Sequence, residues 1–112
     1  MIKYYGKQHV DDIIYSVYKV GRVDWSWMSI CKRELPREFY ESDVLYHSRV
    51  VTHFVKQYLP DVYKWVADTG VRSFGTVINS MQTLEADLVL NLILTPEDET
   101  AFRLVFDVRA AN

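Results

Sequence analysis

The stretch Glu85-Ala86-Asp87-Leu88-Val89-Leu90-Asn91-Leu92-Ile93-Leu94 places Leu88, Leu90, Leu92 and Leu94 on one side and Val89, Asn91 and Ile93 on the other. That two-residue period is the signature of a β-strand, and apolar residues on both sides predict a strand at least partly covered on each face. Just before it, Val71 to Ile78 is β-branched and alternating, which predicts a second strand. Upstream of Gly70 the character is helical. Ser42 or Asp43 is a good N-cap for a helix running to about Tyr58, whose apolar face carries Val44, Val51, Val55 and Tyr58, with His47 on that face and Phe54 at its edge. Pro60 ends that helix and opens a shorter one through Val62, Trp65 and Val66, closed by Asp68-Thr69-Gly70.

Helices in the first half and strands in the second predict an α+β fold, with two to three helices packed on a small, mainly antiparallel sheet. The remaining segments fit into that frame. Val10, Ile13, Ile14 and Val17 recur at three- and four-residue steps, so Lys7 to Val20 reads as a first helix, with Asp11 and Asp12 in its early turns and Gly21 as its left-handed stop. Val23 to Ile30 alternates loosely and reads as a short strand or an ordered loop, followed by the polar connection Cys31 to Glu38. At the other end Thr95-Pro96-Glu97-Asp98 is a helix start, with Thr95 as N-cap and proline in the first turn. Phe102, Leu104, Phe106 and Val108 nevertheless alternate with the period of a strand. The helix reading is preferred; the strand reading would turn 95–100 into a hairpin loop and leave the fold class unchanged.

With 112 residues, the chain 1–112 is expected to form one domain. Its 49% hydrophobic and 25% charged residues are a globular balance. One cysteine cannot form an internal disulfide, and the first residues lack a secretory pattern, which together predict a reducing, cytoplasmic setting. No apolar run approaches the roughly 20 residues of a membrane span. A formal charge of −2 argues against a general nucleic-acid binder, which would be clearly basic.

Catalytic constellations are missing from the sequence. Cys31 lies in no nucleophile motif with His9, His47 or His53, and His47 and His53, six apart, fall on different sides of one helix. The glycines at 6, 21, 70 and 75 are too dispersed to cradle phosphate, and the paired carboxylates stand where helix starts favour them. The reading therefore expects no catalytic residue, no metal and no cofactor. Aromatic residues, by contrast, make up 14% of the chain, and eight tyrosines cannot all be buried with paired hydroxyls in so small a core. Tyr15 and Tyr18 lie off the aliphatic stripe of the predicted first helix; with Trp25 and Trp27 they form the expected aromatic surface for binding another protein. Lys32, Arg33 and Arg37, close in sequence to Trp25, Trp27, Phe39 and Tyr40, give the alternative of a nucleic-acid-binding protein. A small enzyme with a site dispersed through the sequence is the third reading. An exposed edge of the leucine-rich strand would also permit a homo-oligomer.

The closing segment, an apolar strand followed by Pro96-Glu97-Asp98-Glu99-Thr100-Ala101-Phe102-Arg103-Leu104-Val105-Phe106, resembles the ends of short accessory proteins of tailed bacteriophages. That resemblance covers only the C-terminal segment and carries over no catalytic residue. It implies a viral protein acting in the host cytoplasm by binding or modulating a host or phage protein.

Overall fold

A computed structural model describes residues 2–80 and 82–110. The chain runs β1 (Lys3–Val10), β2 (Ile13–Asp24), α1 (Trp25–Glu34), α2 (Asp43–Tyr58), α3 (Pro60–Thr69), β3 (Arg72–Ser80), β4 (Glu85–Ile93), α4 (Pro96–Val105) and β5 (Arg109–Ala110). The fold is α+β: a five-stranded sheet of order β3-β4-β2-β1-β5, antiparallel except where β5 pairs with β1, with four helices among the described residues where two to three were expected.

The predicted Lys7–Val20 helix is instead the β1–β2 hairpin. Val10 pairs with Ile13, so Asp11 and Asp12 are a two-residue turn, and Asp11 takes the left-handed backbone (φ 54°) that aspartate tolerates. The helical spacing of the apolar residues is overridden because β2 finds a partner: Ser16 to Asp24 pair with Leu92 to Glu85 of β4. Gly21 caps no helix. It follows the β2 bulge and leaves room for Phe54 of α2. The segment read as a strand or loop at 23–30 splits: Val23 and Asp24 finish β2, and Asp24 then caps α1 by accepting from the Trp27 N–H at 2.8 Å. The connection predicted at 31–38 consequently shifts to 35–42, because Cys31 to Glu34 form the last turn of α1.

The other elements follow their local signals. Ser42 caps α2, Pro60 opens α3, and left-handed Gly70 ends it. Thr95 caps α4 by accepting from the Asp98 N–H at 3.1 Å, which makes 96–105 a helix.

All four helices contribute to one core with alternate side chains of the sheet. Tyr18, Val20, Leu88, Leu90, Leu92 and Val77 meet Cys31, Val50, Val51, Val55, Val62 and Phe102 there. The β4 leucines are central, and β4 is paired on both sides, so it offers no edge for self-association. The long edge strand is β3, and α2 guards it. Ser48 Oγ accepts the Gly75 N–H at 3.0 Å, and Val51 packs directly on Gly75.

The opposite face of the sheet carries Tyr15, Val17, Lys19, Phe74, Thr76, Val89 and Asn91. The Tyr15 and Phe74 rings meet edge-on at 5.1 Å, and buried Asn91 donates to Thr76 Oγ1 (2.6 Å) and to the Phe74 carbonyl (3.2 Å). Asp87 on that face accepts from Arg22 (2.8 Å) and pairs with Lys19 (3.3 Å). Partial burial would raise its carboxyl, but the hydrogen bonds from Arg22 and Lys19 outweigh it and hold the pKa below the ordinary 3.8.

On the Cys31 thiol and the Tyr18 and Tyr46 phenols burial prevails, pushing each above its ordinary 9.0 or 10.0. Unfolding therefore releases protons at alkaline pH and takes one up at acid pH. We expect stability to be flat between about pH 4 and 9, to fall below that window as Asp87 protonates, and to fall above it as the unfolded thiol and phenols ionise. Urea titrations across pH check this. Tyr18→Phe together with Cys31→Ala should flatten the alkaline limb, and an unchanged limb would contradict the assignment.

Candidate functional site

The α1–α2 connection is held at both ends. The Tyr46 hydroxyl donates to the Leu35 carbonyl at 2.8 Å, Arg49 pairs with Glu41 at 2.6 Å, and Arg37 pairs with Asp43. Glu41 is itself buried at its carboxylate, where Oε1 also accepts the Glu38 N–H at 3.1 Å. The Glu41 N–H in turn donates to the Glu38 carbonyl at 3.0 Å, closing a tight turn whose two central residues are Phe39 and Tyr40. Phe39 is fully exposed and Tyr40 is 83% exposed, and Val44 and Leu45 in the first turn of α2 are exposed as well.

Beside this turn is a cleft of about 240 Å³ between α1, the start of α2 and β3. It is lined by Trp25, Met28, Ser29 and Lys32 of α1, Arg37 of the connection, Tyr46 and His47 of α2, and Val77 and Asn79 of β3. Arg37 lies over the Tyr46 ring at 5.0 Å from its centroid, and Arg49 approaches the same ring at 5.9 Å. The Ser29 hydroxyl donates to the Trp25 carbonyl at 3.0 Å.

Of the predicted protein-binding residues, Trp25 lines the cleft and is 44% exposed. Trp27 turns inward and meets Phe54 edge-on at 5.7 Å. Tyr15 lies on the far face of the sheet. Tyr18 is fully buried and belongs to no surface, because residues three apart on a strand point to opposite faces. Its hydroxyl and Arg103 Nε are both buried without a hydrogen bond of good geometry. They are close enough for Arg103 to pull the phenol pKa down, but burial is the larger effect and the net shift is upward.

Of the predicted nucleic-acid residues, Lys32 and Arg37 enter the cleft and Arg33 faces solvent. The structure thus gathers Trp25, Lys32 and Arg37 from the two sets into one place. It adds His47, Tyr46 and Asn79, which the sequence did not connect to them. Compared with protein-family models, curated proteins and solved structures, the chain has no match.

Cys31 is buried, and its pKa is raised by that burial and then by Glu34, the opposite of an activated nucleophile. Among the described residues no three histidine, cysteine or carboxylate side chains are grouped to hold a metal. No described helix is long and apolar enough to cross a membrane.

Proposed function

We propose that this chain is a non-enzymatic protein-binding module whose anchor is the Phe39–Tyr40 turn. One observation carries the reading: two adjacent large aromatic side chains stand clear of the core on a turn whose flanks are fixed by hydrogen bonds and ion pairs. A folded chain gains nothing internally from such exposure, and a rigid display of phenylalanine and tyrosine lowers the entropy lost on binding. Aromatic residues seated in a partner's pocket are the usual source of interface energy. The partner is a protein with an apolar pocket for Phe39 and Tyr40, rimmed by a carboxylate that meets Arg33. This role suits a viral accessory protein working in the cytoplasm, the expectation carried by the C-terminal resemblance.

The test is affinity capture from lysate of the native cell, with and without nuclease, comparing the native chain with Phe39→Ser/Tyr40→Ser. Both positions are exposed, so the double variant should change folding stability by less than about 0.5 kcal/mol. It should nevertheless lose a partner that the native chain keeps after nuclease. Equal retention of that partner by the variant would overturn the proposal. A second reading, nucleic-acid binding, is favoured by the convergence of Trp25, Lys32 and Arg37 and would show instead as capture abolished by nuclease and weakened steeply by salt.

A further inference from the structure

Trp25, Met28, Ser29 and Lys32 occupy the i, i+3, i+4 and i+7 positions of α1 and so form one stripe along it. Cys31 and Trp27 turn to the core, while Trp25, Ser29 and Lys32 of this stripe are exposed and Met28 is half-buried. The stripe borders the cleft. Lys32 and Arg37 bring cations and His47 a third nitrogen group, while no carboxylate is in the lining. Among the described residues Lys32 has no carboxylate within ion-pair distance, and the Asp43 partner of Arg37 is outside the lining and largely exposed.

We propose that this cleft binds a phosphate ester joined through a sugar to one planar ring, the chemistry of a pyrimidine nucleotide. Among the described residues Lys32 has no carboxylate partner and Arg37 has only the exposed Asp43, and His47 adds a ring nitrogen, so the lining offers donors to an anion and no negative charge of its own. Arg37 is steered by Asp43 and by the Tyr46 ring, and a guanidinium has five N–H donors, so it keeps donors free in a fixed direction. Trp25, half exposed, borders the cleft and offers its indole as a stacking surface for the ring. About 240 Å³ is below the roughly 300 Å³ at which sites for drug-sized ligands begin, which limits the ligand to a single-ring base with its sugar phosphate. That nucleotide has two sources, a free mononucleotide or the 5′ end of a single strand. The proposal does not depend on the protein partner of the Phe39–Tyr40 turn.

Titration calorimetry at neutral pH and low ionic strength, with uridine monophosphate, uridine and inorganic phosphate as probes, tests it. Uridine monophosphate should bind with Kd below about 1 mM, and uridine and inorganic phosphate should each bind about tenfold more weakly or worse. Lys32→Ala, at an exposed position, should keep its circular dichroism spectrum and weaken the nucleotide about tenfold. Trp25→Leu should weaken the nucleotide while leaving inorganic phosphate unchanged, and Phe39→Ser/Tyr40→Ser should bind the nucleotide as the native chain does. No binding at millimolar nucleotide, or equal binding of nucleotide and inorganic phosphate, would overturn the proposal. Preference for 5′-phosphorylated oligothymidylate over uridine monophosphate would assign the ligand to a strand end, and equal affinity would assign it to the free nucleotide; either outcome supports the site.

Discussion

Phe102→Ala is expected to lower folding stability by about 3–5 kcal/mol, the range for removing a buried phenylalanine ring. Phe102 has no exposed surface and meets Tyr18 at 4.8 Å, Phe106 at 5.0 Å and Trp65 at 5.2 Å, so it is the point at which α4, α3 and β2 are joined. Domains of this size are stable by roughly 5–15 kcal/mol in total, so the loss is a large share of the whole. Thermal unfolding followed by circular dichroism should show Tm lowered by on the order of 10–20 °C. Leu104, two residues on, is 79% exposed, and Leu104→Ala should cost less than about 0.5 kcal/mol. The pair also separates the two sequence readings of this segment. A strand would place 102 and 104 on one face with similar costs, whereas the helix makes them unequal; comparable losses would contradict α4.

Gly75→Ala is the second large effect, expected at about 1–3 kcal/mol or somewhat more. A Cβ at this position would clash with Val51 Cβ and lie 2.8 and 2.9 Å from its two γ carbons. Val51 is fully buried, and a valine in a helix has essentially one rotamer, so it cannot turn aside. The nearest atom is fixed to the α2 backbone, and the helix itself must lift. Lifting α2 also strains the Ser48–Gly75 hydrogen bond that closes the sheet edge. Gly21→Ala is the control. Its new Cβ would approach Phe54 Cζ at 2.5 Å, but that atom is the far end of a partly exposed ring that can swing outward. Urea denaturation should therefore rank Gly75→Ala as the more damaging change, and the reverse order would contradict the packing of α2 on β3.

Most of the elements after Gly21 were legible because local chemistry and tertiary structure agree there. The β4 alternation, the caps at Ser42 and Thr95, the Pro60 break and left-handed Gly70 each act through a few neighbouring residues. The opening hairpin was obscured because Val10, Ile13, Ile14 and Val17 have the spacing of a helix face, and what decides against the helix is pairing with β4, far along the chain. The signals that could have found it were the β-branched content and the aspartate pair between Val10 and Ile13. The N-cap role of Asp24 was hidden by the alternation that precedes it.

The cleft residues were legible only singly. Trp25, Lys32 and Arg37 could be named from residue type, yet Trp25 and Lys32 share a face only because α1 is a helix. His47 and Asn79 join them through tertiary packing that no local spacing encodes. The isolation of Phe39 and Tyr40 depends on the charged and polar contacts that hold their neighbours, which are also invisible before folding.

The strand order has a consequence for how the molecule assembles. Two hairpins, β1–β2 and β3–β4, are each closed by a short turn and can form from local sequence. Their backbones pair along the β2–β4 seam, which joins Ser16 to Leu92 and Asp24 to Glu85. Loop-closure entropy across α1, α2 and α3 must be overcome before that seam contributes any stability, which slows folding. The β2–β4 seam is thus the non-local step of folding, and on the ribosome the pairing edge of β2 stays open until β4 has been made.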